Sequence, residues 1–326
     1  MSRLACWGTA LAAALVLACC GGSGRTATGS SDVLALKEIA RAVRPPHVTV
    51  AQTGALPMAV QDAAAAATGG ESFLLMGGIN AAEASVADVL RGSPTGATPI
   101  GSLPSALHDA TASFLGGYAY LFGGGVVESF STIARVSSGG ASRPVGQLPT
   151  KASDVGSAAI GDTVYIVGGY TGRTPLRTIL AWRPGEGARV VATLPKPLRY
   201  AAVAALGGVL YIAGGTSGES ASRDVYRYYP GHDLTRIGAL PAPLTHAAAA
   251  AVGDSVYVFG GRSAAADGQT RRILEIQPNG VVREVGLLPR PLSDTAAVAL
   301  GQKVVLAGGR DLAGASQEAI LTATVG

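Results

Sequence analysis

The sequence predicts an all-β chain folded as a six-bladed β-propeller, and two markers with a common period predict it. Gly-Gly pairs close short apolar runs at Gly77, Gly123, Gly168, Gly214, Gly260 and Gly308, in steps of 46, 45, 46, 46 and 48 residues. A Leu-Pro pair keeps the same beat at Leu56, Leu103, Leu148, Leu194, Leu240 and Leu288, in steps of 47, 45, 46, 46 and 48. A third observation sets the architecture: each unit holds four strand-length segments separated by turn signals. Four-stranded repeats of this length bury their faces only against each other, which makes one ring of blades rather than several domains.

The unit that begins at Leu240 shows why each segment is a strand. Its alanine run, Ala247 to Ala251, favours helix on propensity, but it is bounded by Pro243 and Gly253, and its counterparts include Val203 and Val298. Small side chains suit the innermost strand, where six strands converge on the axis. Gly253-Asp254, Gly161-Asp162, Gly207-Gly208, Gly116-Gly117 and Gly69-Gly70 then mark tight hairpins. The second strand carries a tyrosine three residues before the glycine pair, at Tyr120, Tyr165, Tyr211 and Tyr257, with Leu74 and Val305 in the end units. A large group there is expected to pack between blades. The glycine pair permits positive φ and close backbone approach to the next blade. A second hairpin, marked by Pro184-Gly185, Pro230-Gly231, Asn279-Gly280 and Gly139-Gly140, joins the third and fourth strands, and Leu-Pro ends the fourth. Proline lacks the ladder donor and suits an exit, while leucine fills the seam.

The last unit has no fourth strand and no Leu-Pro before Gly326. His47 to Leu56 has the form of a fourth strand without the first three, so it is expected to complete the sixth blade and close the ring. Residues 47–326 are therefore the propeller. Residues 1–19 read as a signal peptide: one charge at Arg3, an apolar stretch from Leu11 to Ala18 too short to span a bilayer, then Cys19. Val16-Leu17-Ala18-Cys19 resembles a bacterial lipoprotein signal, which implies acylation of Cys19; Cys20 is a second register, and an ordinary cleaved signal is the alternative. Residues 20–46 follow as tether and N-terminal segment, with Gly21 to Ser31 rich in Gly, Ser and Thr. Within it, Leu34, Leu36, Ile39 and Val43 fit either a short amphipathic helix or an added strand. An extracytoplasmic, membrane-anchored protein is the expectation.

Composition narrows the function classes. Charged residues are 14% and the net charge is +4 with no basic run, so the chain carries no electrostatic footprint for nucleic acid. All three cysteines, Cys6, Cys19 and Cys20, lie in the first twenty residues, so disulfides do not staple the fold. His47, His108, His232 and His246 fall in different units without ligand spacing, and no nucleophile motif is present. No metal or other cofactor is expected.

The glycine pair after a tyrosine-containing strand, repeated in register, resembles the kelch repeat, and the resemblance covers nearly all of residues 47–326. Kelch units usually carry a tryptophan on the fourth strand; here that place is aliphatic, and Trp182 stands on a third strand. The copper chemistry known in some kelch propellers implies a Tyr-Cys crosslink, for which the chain after Cys20 has no cysteine.

Turns between the first and second and the third and fourth strands share one face, expected to hold only tight turns. The loops after the glycine pairs, Ile79 to Val86, Gly125 to Ser131, Tyr170 to Arg177, Thr216 to Arg223, Arg262 to Arg271 and Arg310 to Gln317, share the other and vary freely. A polar ring recurs five residues after each Leu-Pro proline: Asp62, Asp109, Asp154, Tyr200, His246 and Asp294. The bland reading is that each carboxylate satisfies backbone amides in its blade crossing. The sharper reading is a ligand site at the axial mouth, from Arg199, Tyr200, His246, Arg262, Asp294 and Arg310, able to hold a small anionic or sugar-like ligand or a protein partner. Arg262–Asp294 and Arg310–Asp62 pairs would compete with it. The leading expectation is a lipid-anchored binding module without turnover. One alternative is a sugar-modifying enzyme similar to the exported kelch epimerases of sialic acid, with Arg199, Tyr200, His246, Arg262 and Arg310 as working residues; another is a structural envelope spacer.

Overall fold

A computed structural model describes residues 47–218, 220–263 and 268–326. The expectations for residues 1–46, the signal, the acylated cysteine and the ambiguous segment at 32–43, lie outside the described residues. Every element named among the described residues is a strand, and six sheets carry the fold. The innermost strands of the successive blades are Ala64–Gly69, His108–Leu115, Gly156–Ile160, Ala202–Leu206, Ala248–Val252 and Ala296–Leu300. Each lies against the next, and the last against the first, so the ring is closed.

The closing strand is Val48–Gln61, antiparallel to Gln317–Val325 in a register that sets Val48 opposite Val325 and Ala55 opposite Ala319. His47 and Gly326 exchange backbone hydrogen bonds of 3.3 and 3.1 Å, which places both ends of the propeller on the face of the hairpins. The sixth blade thus gains its fourth strand from the opposite end of the chain. Ile79–Asn80 adds a short edge beside Gln61.

Packing follows the seams. Six hydrophobic clusters each bridge two adjacent blades. Tyr120, Tyr165, Tyr211 and Tyr257 are buried in four of them, as the strand pattern implied. Trp182 joins Tyr120 and Phe122 in the seam between the second and third blades, with ring centroids 4.8 and 5.3 Å apart. The leucines of all six Leu-Pro pairs are buried. Five of them, Leu103 to Leu288, donate their N–H to a carbonyl at the entry of the third strand at 2.7 Å.

The glycine pairs lock each seam. The second glycine donates its N–H to a carbonyl of the crossing into the next blade, as Gly169 does to Leu198 at 2.8 Å and Gly215 to Leu244 at 2.9 Å. The first glycine, at positive φ, lies so near that carbonyl that a Cβ on Gly168 would sit 2.1 Å from the Leu198 oxygen. No L side chain fits both the dihedral and the gap.

One expectation needs correction. The hairpin face is not built of tight turns alone: residues 183–188 and 229–234 are six-residue connections between the third and fourth strands. A further tight turn between Ser93 and Gly96, unmarked by the hairpin signals, joins those strands in the first blade.

Candidate functional site: the axial mouth

The six ring residues share a backbone state that their side chains do not announce. Asp62, Asp109, Asp154, Tyr200, His246 and Asp294 have φ of 55, 56, 59, 51, 55 and 56°. Each donates its N–H to the carbonyl of the ring residue in the preceding blade: Asp109 to Asp62 at 3.1 Å, Asp154 to Asp109 at 2.8 Å, Tyr200 to Asp154 at 3.0 Å, His246 to Tyr200 at 3.2 Å, Asp294 to His246 at 3.1 Å and Asp62 to Asp294 at 3.0 Å. A closed circle of six backbone hydrogen bonds therefore surrounds the axis. This corrects the bland reading of the aspartates: among the described residues none of these carboxylates accepts from a backbone amide. Aspartate recurs because it tolerates the left-handed region better than most residues. Its N–H and C=O close the ring, and its side chain takes no part in that circle.

Those side chains line a cavity of about 130 Å³ with Ala63, Ala110, Val155, Ala201, Ala247 and Thr295 beneath them. Below it the axis is walled by the small side chains of the innermost strands. Just outside the ring, the residue before each ring member pairs with the residue after a glycine pair, as in Arg199 with Thr216, Thr245 with Arg262 and Ser293 with Arg310. Blade crossings and post-glycine loops thus meet at one rim.

The rim brings the sequence-derived candidates together, though not as equals. Arg199 forms an ion pair with Asp154, whose side chain is almost wholly buried, and its guanidinium carbon lies 3.9 Å from the Tyr170 ring centroid. Arg262 pairs with Asp294 and donates to Ser293 Oγ at 3.2 Å. Tyr200 Oη donates to Asp109 Oδ2 at 3.1 Å, and the Tyr200 ring stacks on His246 with centroids 3.7 Å apart and planes 23° apart. Arg310 lacks the competing partner. It does not pair with Asp62, and among the described residues its guanidinium has neither a hydrogen bond nor an ion pair. The Asp62 carboxyl instead feels the neighbouring Asp294 and Asp109 charges.

Electrostatics divide the ring into arcs. Asp294, Asp62, Asp109 and Asp154 occupy four successive positions, with arginine partners only at the two ends. Desolvation in the mouth, then the adjacent Asp294 and Asp109 charges, hold Asp62 well above the usual carboxyl range. Desolvation and Asp154 push Asp109 up to about 8. On the other arc, burial lowers His246 to about 4, with Arg262, Arg199 and Arg310 acting in the same sense and Asp294 against them. Its imidazole is therefore neutral near pH 7. His246 Nδ1, Asp294 Oδ1, Thr245 Oγ1 and Gln61 Oε1 are buried without hydrogen-bond partners, all in or one residue from the ring. Among the described residues no group of three or more His, Cys, Asp or Glu side chains is arranged to hold a metal ion.

Sequence reasoning found the ring and its arginines but missed the Tyr170 stack and the Ser85 Oγ contact to His108 Nδ1 at 2.8 Å. The periodic aspartates were the available sign of a recurring left-handed residue.

The kelch motif matches residues 151–189 and 197–233, stretches that cover the first three strands of the third and fourth blades. The fold is that of a kelch propeller. One solved structure, titled "Structure of YjhT", matches this kelch propeller with a TM-score of 0.73 at 13% identity, covering 83% of this chain and 99% of that chain. At that identity the likeness is one of fold. No curated protein matches the chain.

Proposed function

We propose that this kelch propeller is an extracytoplasmic binding module, anchored through a lipid on Cys19, or on Cys20 in the second register, that takes a small anionic or sugar-like ligand, or a partner group of that chemistry, at its axial mouth. One observation carries the reading: Arg199 and Arg262 are neutralised by Asp154 and Asp294, whereas Arg310 at the same rim has no counter-charge. A half-buried guanidinium without a partner favours an incoming anion, and the buried unpartnered groups beside it favour a hydroxyl-bearing one. The rigid backbone circle supports binding without rearrangement.

A thermal-shift screen of monosaccharides, uronic acids and small carboxylates tests the site. Stabilisation by an anionic member, lost in Arg310→Ala, is the expected result; stabilisation untouched by that change overturns the assignment. NMR anomer exchange on any hit separates capture from catalysis, since ligand-dependent exchange would make the mouth that of an enzyme. Palmitate labelling that survives replacement of both Cys19 and Cys20 would remove the anchor from the reading.

A further inference from the structure

The four successive carboxyls of the ring pose a charge problem that the two rim arginines do not solve. Asp154 and Asp294 have guanidinium partners; Asp62 and Asp109, between them, do not. Asp109 faces Asp62, Asp154 and Asp294 around the ring, Tyr200 Oη across it at 3.1 Å, and His108 Nε2 at 3.6 Å. Asp62 faces Asp294 and Asp109, with Arg262 beyond. His246 and Arg310 complete the charged and titratable groups of the mouth. Burial lowers the pKa of His108, against the Asp154 charge, which weakens it as a compensating cation. Each central carboxyl leans on its ion-paired neighbour, Asp62 on Asp294 and Asp109 on Asp154. A carboxyl beside a carboxylate holds a proton more tightly, since two like charges side by side among buried groups are costly.

We propose that the axial mouth is a proton-operated charge switch: with protons on Asp62 and Asp109 it presents the positive charge of Arg310, and when both protons leave to solvent it presents net negative charge. An anion is then held in the first state and expelled in the second. The anion part rests on the binding reading above; the switch itself does not. The upward displacement of both carboxyls, Asp109 to about 8, supports a change on the alkaline side of neutrality.

Infrared difference spectroscopy of the full chain reads the switch directly. A protonated-carboxyl C=O band is expected at about pH 6, reduced in Asp109→Asn, reduced further in the Asp62→Asn/Asp109→Asn double variant, and lost from the wild type by about pH 10. Its absence at about pH 6, or its persistence unchanged in the double variant, overturns the proposal. Asparagine mimics the protonated acid and tolerates the same positive φ, so these variants are expected to fold. Stability against pH gives a second reading. A carboxyl whose pKa rises on folding contributes stability that is full below the unfolded value of 3.8 and is lost up to the folded value, about 8 for Asp109. His246, lowered from 6.5 to about 4, acts in the opposite sense over that lower window. From about pH 6.5 to about pH 8 the wild-type folding constant should therefore fall by about tenfold per pH unit for each retained proton. The double variant should lack that slope, and equal slopes in both proteins overturn the switch. Sulfate, whose charge is constant over this range, separates the two readings. Stabilisation at about pH 6 that vanishes at about pH 10 in the wild type but persists in the double variant supports both. An infrared switch without sulfate stabilisation at either pH upholds the switch and counts against anion capture.

Discussion

The seams and the mouth are each built from one backbone event repeated six times, yet the seams tolerate one residue and the mouth tolerates several. At a seam, a positive φ coincides with a carbonyl about where a Cβ would stand, so geometry excludes any side chain. At the mouth, a positive φ coincides with an open axis, so geometry constrains the backbone and leaves the side chain to chemistry. Repetition of backbone does not require repetition of residue. Where the two part company, the fold has room for function.

Breaking ring closure should be the most severe intervention. Removal of residues 1–55 takes away most of the strand paired with Gln317–Val325 and exposes the edge of the latter; size-exclusion chromatography should show aggregation in place of a folded, compact species. Next comes the seam itself. Gly168→Ala forces a left-handed alanine against the Leu198 carbonyl, and urea denaturation should register a loss of roughly 3 kcal/mol or more. The matching change at the mouth, Asp62→Asn, should be much milder, and a loss as large as that at Gly168 would erase the contrast drawn here. Arg262→Ala tests the mouth's charge instead of its backbone. It leaves the deeply buried Asp294 carboxylate without its ion pair, and the cost should be about 2–3 kcal/mol by the same measurement. Tyr200→Phe removes only the donor to Asp109, so about 1 kcal/mol is expected. At the far end lies Val127→Ser, a loop tip 94% exposed, which should stay within about 0.5 kcal/mol.

Much of this was legible before the fold was built, because period, turn chemistry and small innermost side chains are local properties. Ala247 to Ala251 reads as strand only because its counterparts in other units exclude helix, and the structure places Ala248–Val252 at the axis. Tyr120 and Trp182 illustrate the limit. Their strands are readable, but their tilted ring contact depends on neighbouring blades meeting across a seam. The same limit separates Arg262 from Arg310. Both follow a glycine pair, yet one finds Asp294 and the other, among the described residues, finds no carboxylate.

The amino-acid order alone determined the count of blades, the closure of the sixth by His47 to Leu56 and the six positions that face the axis, for these follow from spacing and from what each residue type permits its own backbone to do. Tertiary structure alone decided which of those six find an ion-pair partner, which carboxyls lie beside other carboxyls and which guanidinium stays unmatched. Those outcomes depend on desolvation and on distances between residues brought together from every part of the ring, and no single repeat contains them.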